Sequence, residues 1–131
     1  MSNYQILQPD LHANIKVEPS LIYANAQHQF APICLAEIPQ IAVEYPIFIA
    51  KHPTTGQFGF QAMLGLDANE NLFLQNGQWH NTYVPLHFAT QPFRLTVDQD
   101  NLNNAQISID VEHASVTSNS GESLFTDDKQ H

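Results

Sequence analysis

Eight prolines cut the apolar residues of this chain into short segments, and that punctuation limits its fold more than any other feature. Proline has no backbone N–H and a fixed φ, so it tolerates only strand edges, strand starts and first helical turns. Pro19 closes the alternating stretch Asn14-Ile-Lys-Val-Glu18, which suits a short strand, and Pro32 places a strand over 30–35 at an edge or start. Pro39 fits the first turn of a helix over 39–45, where Ile38, Ile41, Ala42 and Tyr45 share a face, and Pro46 stops it. The run Pro46-Ile-Phe-Ile-Ala50, bounded by Lys51-His52-Pro53, reads as a fully buried strand. A second short helix is expected over 83–89, ended by Pro92.

Turn residues supply the rest of the punctuation. Thr54-Thr-Gly-Gln57 joins the buried strand to a second apolar strand over 58–66, the clearest hairpin of the chain. Asp67-Ala-Asn-Glu-Asn71 is rich in residues that bond their own backbone. Asn76-Gly77, set between Leu72-Phe-Leu74 and Trp79, is a two-residue hairpin turn. Residues 93–97 and 105–112 alternate cleanly and read as half-buried strands. Residues 20–29 fit a loop or a short helical turn. From Ser115 onward aliphatic residues thin out and Ser, Asn, Gly and Asp take over, the composition of a disordered acidic tail. The expected fold is α+β: antiparallel sheets and hairpins with two short helices, in one domain over 1–114, followed by a polar tail over 115–131.

Charge narrows the partners. A net charge of -9, with only four Lys and Arg against thirteen acids, provides no basic surface for nucleic acid or an anionic membrane. No apolar run approaches the roughly 20 residues of a membrane-spanning helix. The N-terminus lacks the basic and apolar regions of a Sec-type signal, so the cytoplasm is the default location, with signal-independent export open. Cys34 is the single cysteine, which excludes an intrachain disulfide; within an apolar run it reads as a buried, inert thiol.

Chemistry-bearing patterns are sparse. No two of the seven histidines stand at the spacing of a zinc motif or a shared helix face, so no metal and no cofactor is expected. Asp67-Ala-Asn-Glu-Asn71 starts like a calcium loop, but Leu72 stands where Gly is required and Gln78 where Glu closes the loop. The glycines form no phosphate cradle, and there is no Gly-x-Ser-x-Gly elbow. Glu37 and Glu44 can share a helix face near His52, an arrangement conceivable for acid–base work, though solvated helix acids are its ordinary explanation. Trp79, beside Gly77 and His80, is placed at a hairpin tip, where an aromatic ring serves as a contact residue.

Longer motifs carry a family resemblance. Glu44-Tyr-Pro-Ile-Phe-Ile-Ala-Lys51, Thr55-Gly-Gln-Phe58 and Leu64-Gly-Leu-Asp-Ala-Asn-Glu-Asn-Leu-Phe73 resemble the centre of the SapC family, named for a bacterial surface-layer-associated protein. Trp79, Tyr83-Val-Pro85, Pro92-Phe-Arg-Leu95 and Gly121-Glu-Ser-Leu-Phe125 extend the match, as do Leu7, Pro9, His12 and Ala31-Pro-Ile33 upstream. Members usually run on past the Leu-Phe segment, so a chain stopping at His131 resembles a short or truncated member. The resemblance implies a non-enzymatic accessory or binding protein linked to surface-layer or export processes, and brings no catalytic residues. The expected contact surface is Trp79, Tyr83, Asn76 and Gly77, with a protein partner. Two rivals stand beside it: an enzyme, or enzyme partner, with a pocket near His52, His80 and His87, and a structural subunit that self-associates through a strand edge.

Overall fold

The computed structural model describes residues 2–80 and 83–126, apart from the side chain of Leu102. His131 and the last part of the expected tail, 127–131, lie outside them. The elements in chain order are β1 (Tyr4–Ile6), α1 (Pro9–His12), β2 (Lys16–Val17), β3 (Phe30–Pro32), α2 (Ile38–Glu44), β4 (Ile47–Lys51) and β5 (Phe58–Met63). There follow β6 (Leu74–Gln75), β7 (Gln78–Trp79), α3 (Leu86–Ala89), β8 (Phe93–Asp98), β9 (Asn101–Asp110), β10 (Val116–Thr117) and β11 (Glu122–Ser123). The architecture is α+β, with several small antiparallel sheets. The chain divides into two compact units, Ala26–Ala89 and Met1–Asn25 with Thr90–His131.

In the unit Ala26–Ala89, β3, β5 and β4 form an antiparallel sheet with β5 at its centre. The expected hairpin is present, in a register running from Ile47 opposite Ala62 to Lys51 opposite Phe58. The strand after Pro46 is not fully buried, however: it is a sheet edge, and Ile49 is 62% exposed. A continuous apolar run states affinity for an interior without stating on how many sides an interior exists. Helix α2 follows the proline reading, with Pro39 in its first turn and Ile41 buried. The buried apolar residues of the unit also include Ala31, Tyr45, Ala62, Leu64, Leu74 and Phe88. Helix α3 is shorter than expected, spanning Leu86–Ala89, and the N–H groups of Tyr83 and Leu86 before it donate to the side chains of Glu44 and Glu37. Helical bonding starts only at the Pro85 carbonyl.

The other unit is built on β1, β9 and β8, in that order. Strand β1, absent from the sequence reading, pairs across more than a hundred residues, with Tyr4 opposite Asp110. The buried Asp110 caps this junction: its Oδ1 accepts from the Asn3 N–H at 2.8 Å and the Glu112 N–H at 3.2 Å. The long β8–β9 ladder sets Phe93 opposite Ile109, Leu95 opposite Ile107 and Val97 opposite Ala105, so these six share one face. The reverse face is polar, and there Thr96 Oγ1 and Ser108 Oγ lie 2.8 Å apart. A second small sheet centres on β2, flanked by β10 and β11. The polar segment beginning at Ser115 therefore contributes two short strands before its last described residue.

Candidate functional site

The densest polar cluster surrounds Glu37, which is 3% exposed. It closes the 3₁₀ turn Leu35–Glu37, where its Oε2 accepts from the Cys34 N–H at 2.9 Å and the Cys34 thiol at 3.3 Å. Its Oε1 accepts from the Leu86 N–H at 2.7 Å and the Tyr83 hydroxyl at 3.1 Å. Burial by itself would raise the carboxyl pKa, but the backbone donors of Leu86 and Cys34, with the thiol and the phenol, hold it below the ordinary carboxylate value. The Tyr83 phenol is pushed above its usual range by burial and then by this carboxylate. Glu44 Oε2 accepts from the Tyr83 N–H at 3.2 Å. The two acids thus clamp the stretch after Asn81-Thr82 onto the start and end of α2. Neither pairs with His52, whose Nδ1 accepts the N–H groups of Thr54 and Thr55 in its own turn, both at 3.2 Å.

Cys34 is exposed rather than buried. Strand β3 ends at Pro32, and Cys34 then caps the turn instead of continuing the apolar run.

Of the expected contact residues, Asn76 and Gly77 form the turn between β6 and β7, with φ of 52° and 74°, the left-handed pair of a two-residue hairpin. Trp79 is half-buried; its Nε1 donates to the Tyr45 hydroxyl at 2.9 Å, and its ring centroid lies 5.3 Å from that of Phe88. The Tyr45 hydroxyl donates onward to the Tyr83 carbonyl at 2.5 Å. Trp79 and Tyr83 are therefore joined through Tyr45, while the Asn76-Gly77 turn is a separate feature.

The metal form of the enzyme reading would need its histidines brought together. Among the described residues no group of three His, Cys, Asp or Glu side chains could hold a metal ion. His87 meets Phe88 edge-on, with ring centroids 4.9 Å apart, and His28 approaches the same Phe88 ring at 5.9 Å. Burial, then the neighbouring His28, lowers the pKa of His87, against a smaller opposing effect of Glu37.

The unit built on β1, β8 and β9 offers a different kind of site. Leu7, Thr90, Phe93, Arg94, Leu95, Ile107 and Leu124 line an open groove of about 600 Å³. Its floor is the apolar face of the β8–β9 ladder, where Leu95 is 64% and Ile107 43% exposed. The Leu7 N–H donates to the Ile107 carbonyl at 2.8 Å, which extends β1 along this floor. Leu124 arrives by a tight route. Gly121 has φ of 99°, and a Cβ there would lie 2.3 Å from the Val17 carbonyl oxygen. Only glycine allows that approach, after which β11 pairs with β2 and sets Leu124 against the groove. The alternation of 93–97 and 105–112 gave the apolar face, but not that it stands uncovered.

A family model, SapC, matches residues 7–131, nearly the whole chain. The chain belongs to the SapC family. The match takes in the sheet strands, the clamp around Glu37 and the Gly121-Glu-Ser-Leu-Phe125 segment of this SapC family member. No curated protein matches the chain, and no solved structure does.

Proposed function

We propose that this SapC family member is a non-enzymatic binding protein that acts as an accessory to the bacterial surface layer or its export, and that it binds an apolar ligand in the groove of β1, β8 and β9. The observation that carries the binding part is the exposed apolar floor at Leu95 and Ile107, completed by Leu124. Apolar surface left in water costs about 25 cal/mol per Å², and contiguous exposed patches mark binding surfaces. Membership of a family named for a surface-layer-associated protein supports the setting.

The test uses Nile red, a neutral apolar dye whose fluorescence rises on leaving water. The full chain is expected to bind it saturably, and the double variant Leu95→Asp, Ile107→Asp to lose that binding while keeping its fold by circular dichroism. Unchanged binding in the variant would sink the groove as the site. Co-fractionation of the tagged chain with envelope material in its own cells tests the setting.

A second reading, a structural subunit of a larger assembly, has its own observation. Among the described residues strand β8 has a neighbour on one side only, and it exposes Leu95 and Val97, a form of edge that pairs with other chains. Light scattering that reports a monomer at high concentration removes it.

A further inference from the structure

We infer that the apolar ligand of the groove is an extended segment of another protein: it pairs with the outer edge of β8, lays alternate apolar side chains on Leu95 and Ile107, and carries lysine or arginine where it passes Asp98 and Asp100. The inference rests on the groove being a binding site and adds the chemistry of what fills it.

The hydrogen-bond parity of the sheet carries it. The Asp110 N–H donates to the Pro92 carbonyl at 2.9 Å, in the same register that sets Arg94 opposite Ser108 and Thr96 opposite Gln106. Bonding alternates along an antiparallel pair, so Arg94 and Thr96 turn their backbone groups toward β9 while Leu95 and Val97 turn theirs away. Phe93 points outward too, since its N–H donates to the Thr90 carbonyl at 2.8 Å. Among the described residues nothing accepts from the N–H of Leu95 or Val97. The side chains of these two residues stand on the apolar face, and Leu95 lines the groove.

Outward backbone groups and the uncovered apolar row thus belong to the same residues. One added strand answers both. Its residues directly opposite Leu95 and Val97 take the apolar face, and those between them take the polar face with Thr96. The open volume of about 600 Å³ receives the apolar set. A small apolar molecule would use the groove but not the edge.

Charge selects the owner of that strand. Asp98 ends β8 and Asp100 follows it, both exposed, so this edge runs out into acids. A second copy brings the same net charge of -9 and is repelled, whereas a cationic segment is attracted.

The test titrates the full chain with a short synthetic peptide in which leucine alternates with threonine between terminal lysines. One peptide per chain should bind and displace Nile red. Followed by NMR, the Leu95 and Val97 amides should exchange fast in the free chain and slow roughly tenfold at about nine-tenths occupancy. The Arg94 and Thr96 amides, already bonded to β9, should not change. Two further peptides are methylated on every leucine amide nitrogen or on every threonine amide nitrogen. Only one set of amides faces β8, so only one of these peptides should lose affinity, by roughly tenfold or more. Equal effects of the two methylations, or no added protection at Leu95 and Val97, would overturn strand addition. A peptide with terminal glutamates that binds as tightly as the lysine form would overturn the cationic partner. Nile red binding without peptide binding would overturn the peptide as occupant and spare the groove; failure of both would sink the groove itself. A dimer by light scattering that protects the same two amides and resists the peptide would make a second copy the occupant and overturn the assignment.

Discussion

Four donors point at the carboxylate of Glu37: two from Cys34, one from Leu86 and one from Tyr83. Glu37→Gln turns one acceptor oxygen into an NH₂ group facing donors, which should cost about 1–3 kcal/mol, read as a lower urea midpoint. The same carboxyl titrates below its reference value of 4.5, so the unfolded chain holds that proton more readily. The stability it contributes is present above about pH 4.5 and is lost as pH falls through the lowered folded value. Histidines set a second window. Burial lowers the pKa of His87 and of His113 from 6.5, and the His113 Nδ1 accepts the Ser115 N–H at 3.2 Å. A histidine kept neutral by folding favours the unfolded chain once it protonates there, so stability should decline as pH falls below 6.5. Proton NMR should place both imidazole midpoints below that value; a midpoint above 6.5 for either would contradict the burial described.

At the level of elements, local chemistry was legible and long-range pairing was not. Asn76-Gly77 and Pro39 each act within a few residues, and the turn and helix they imply are present. Alternation in β8 and β9 gave their faces correctly. Strand β1, by contrast, exists because Tyr4 meets Asp110, and no local pattern announces a partner so distant. Trp79 stands near the hairpin tip in sequence, but its ring is held by Phe88 and its N–H by Tyr45, contacts that only the folded unit provides. Glu37 read as one acid of a helix face; its donors from Tyr83 and Leu86 lie 46 and 49 residues away. Gly121 supplies the prediction at this scale. With φ of 99° and the Val17 carbonyl 2.3 Å from where its Cβ would stand, Gly121→Ala should separate β11 from β2 and displace Leu124. Dye binding should then weaken several-fold, while exchange protection in the β4–β5 hairpin stays unchanged.

For the whole molecule, acidity and exposed apolar surface have to coexist. A net charge of -9 keeps copies apart in dilute solution, and this allows an uncovered apolar face without immediate aggregation. Leu95→Asp should therefore change unfolding free energy by no more than about 0.5 kcal/mol, because the side chain it replaces is already largely in water, and should raise solubility. Salt should act in the opposite direction, since screening removes the repulsion. The groove is the element on which the functional account depends, and methyl-detected NMR of the full chain titrated with Nile red tests it most directly. Shifts concentrated at Leu7, Leu95, Ile107 and Leu124, saturating together, are the predicted result. Shifts centred instead on Ile41, Leu64 and Leu74, or none at all, would contradict it.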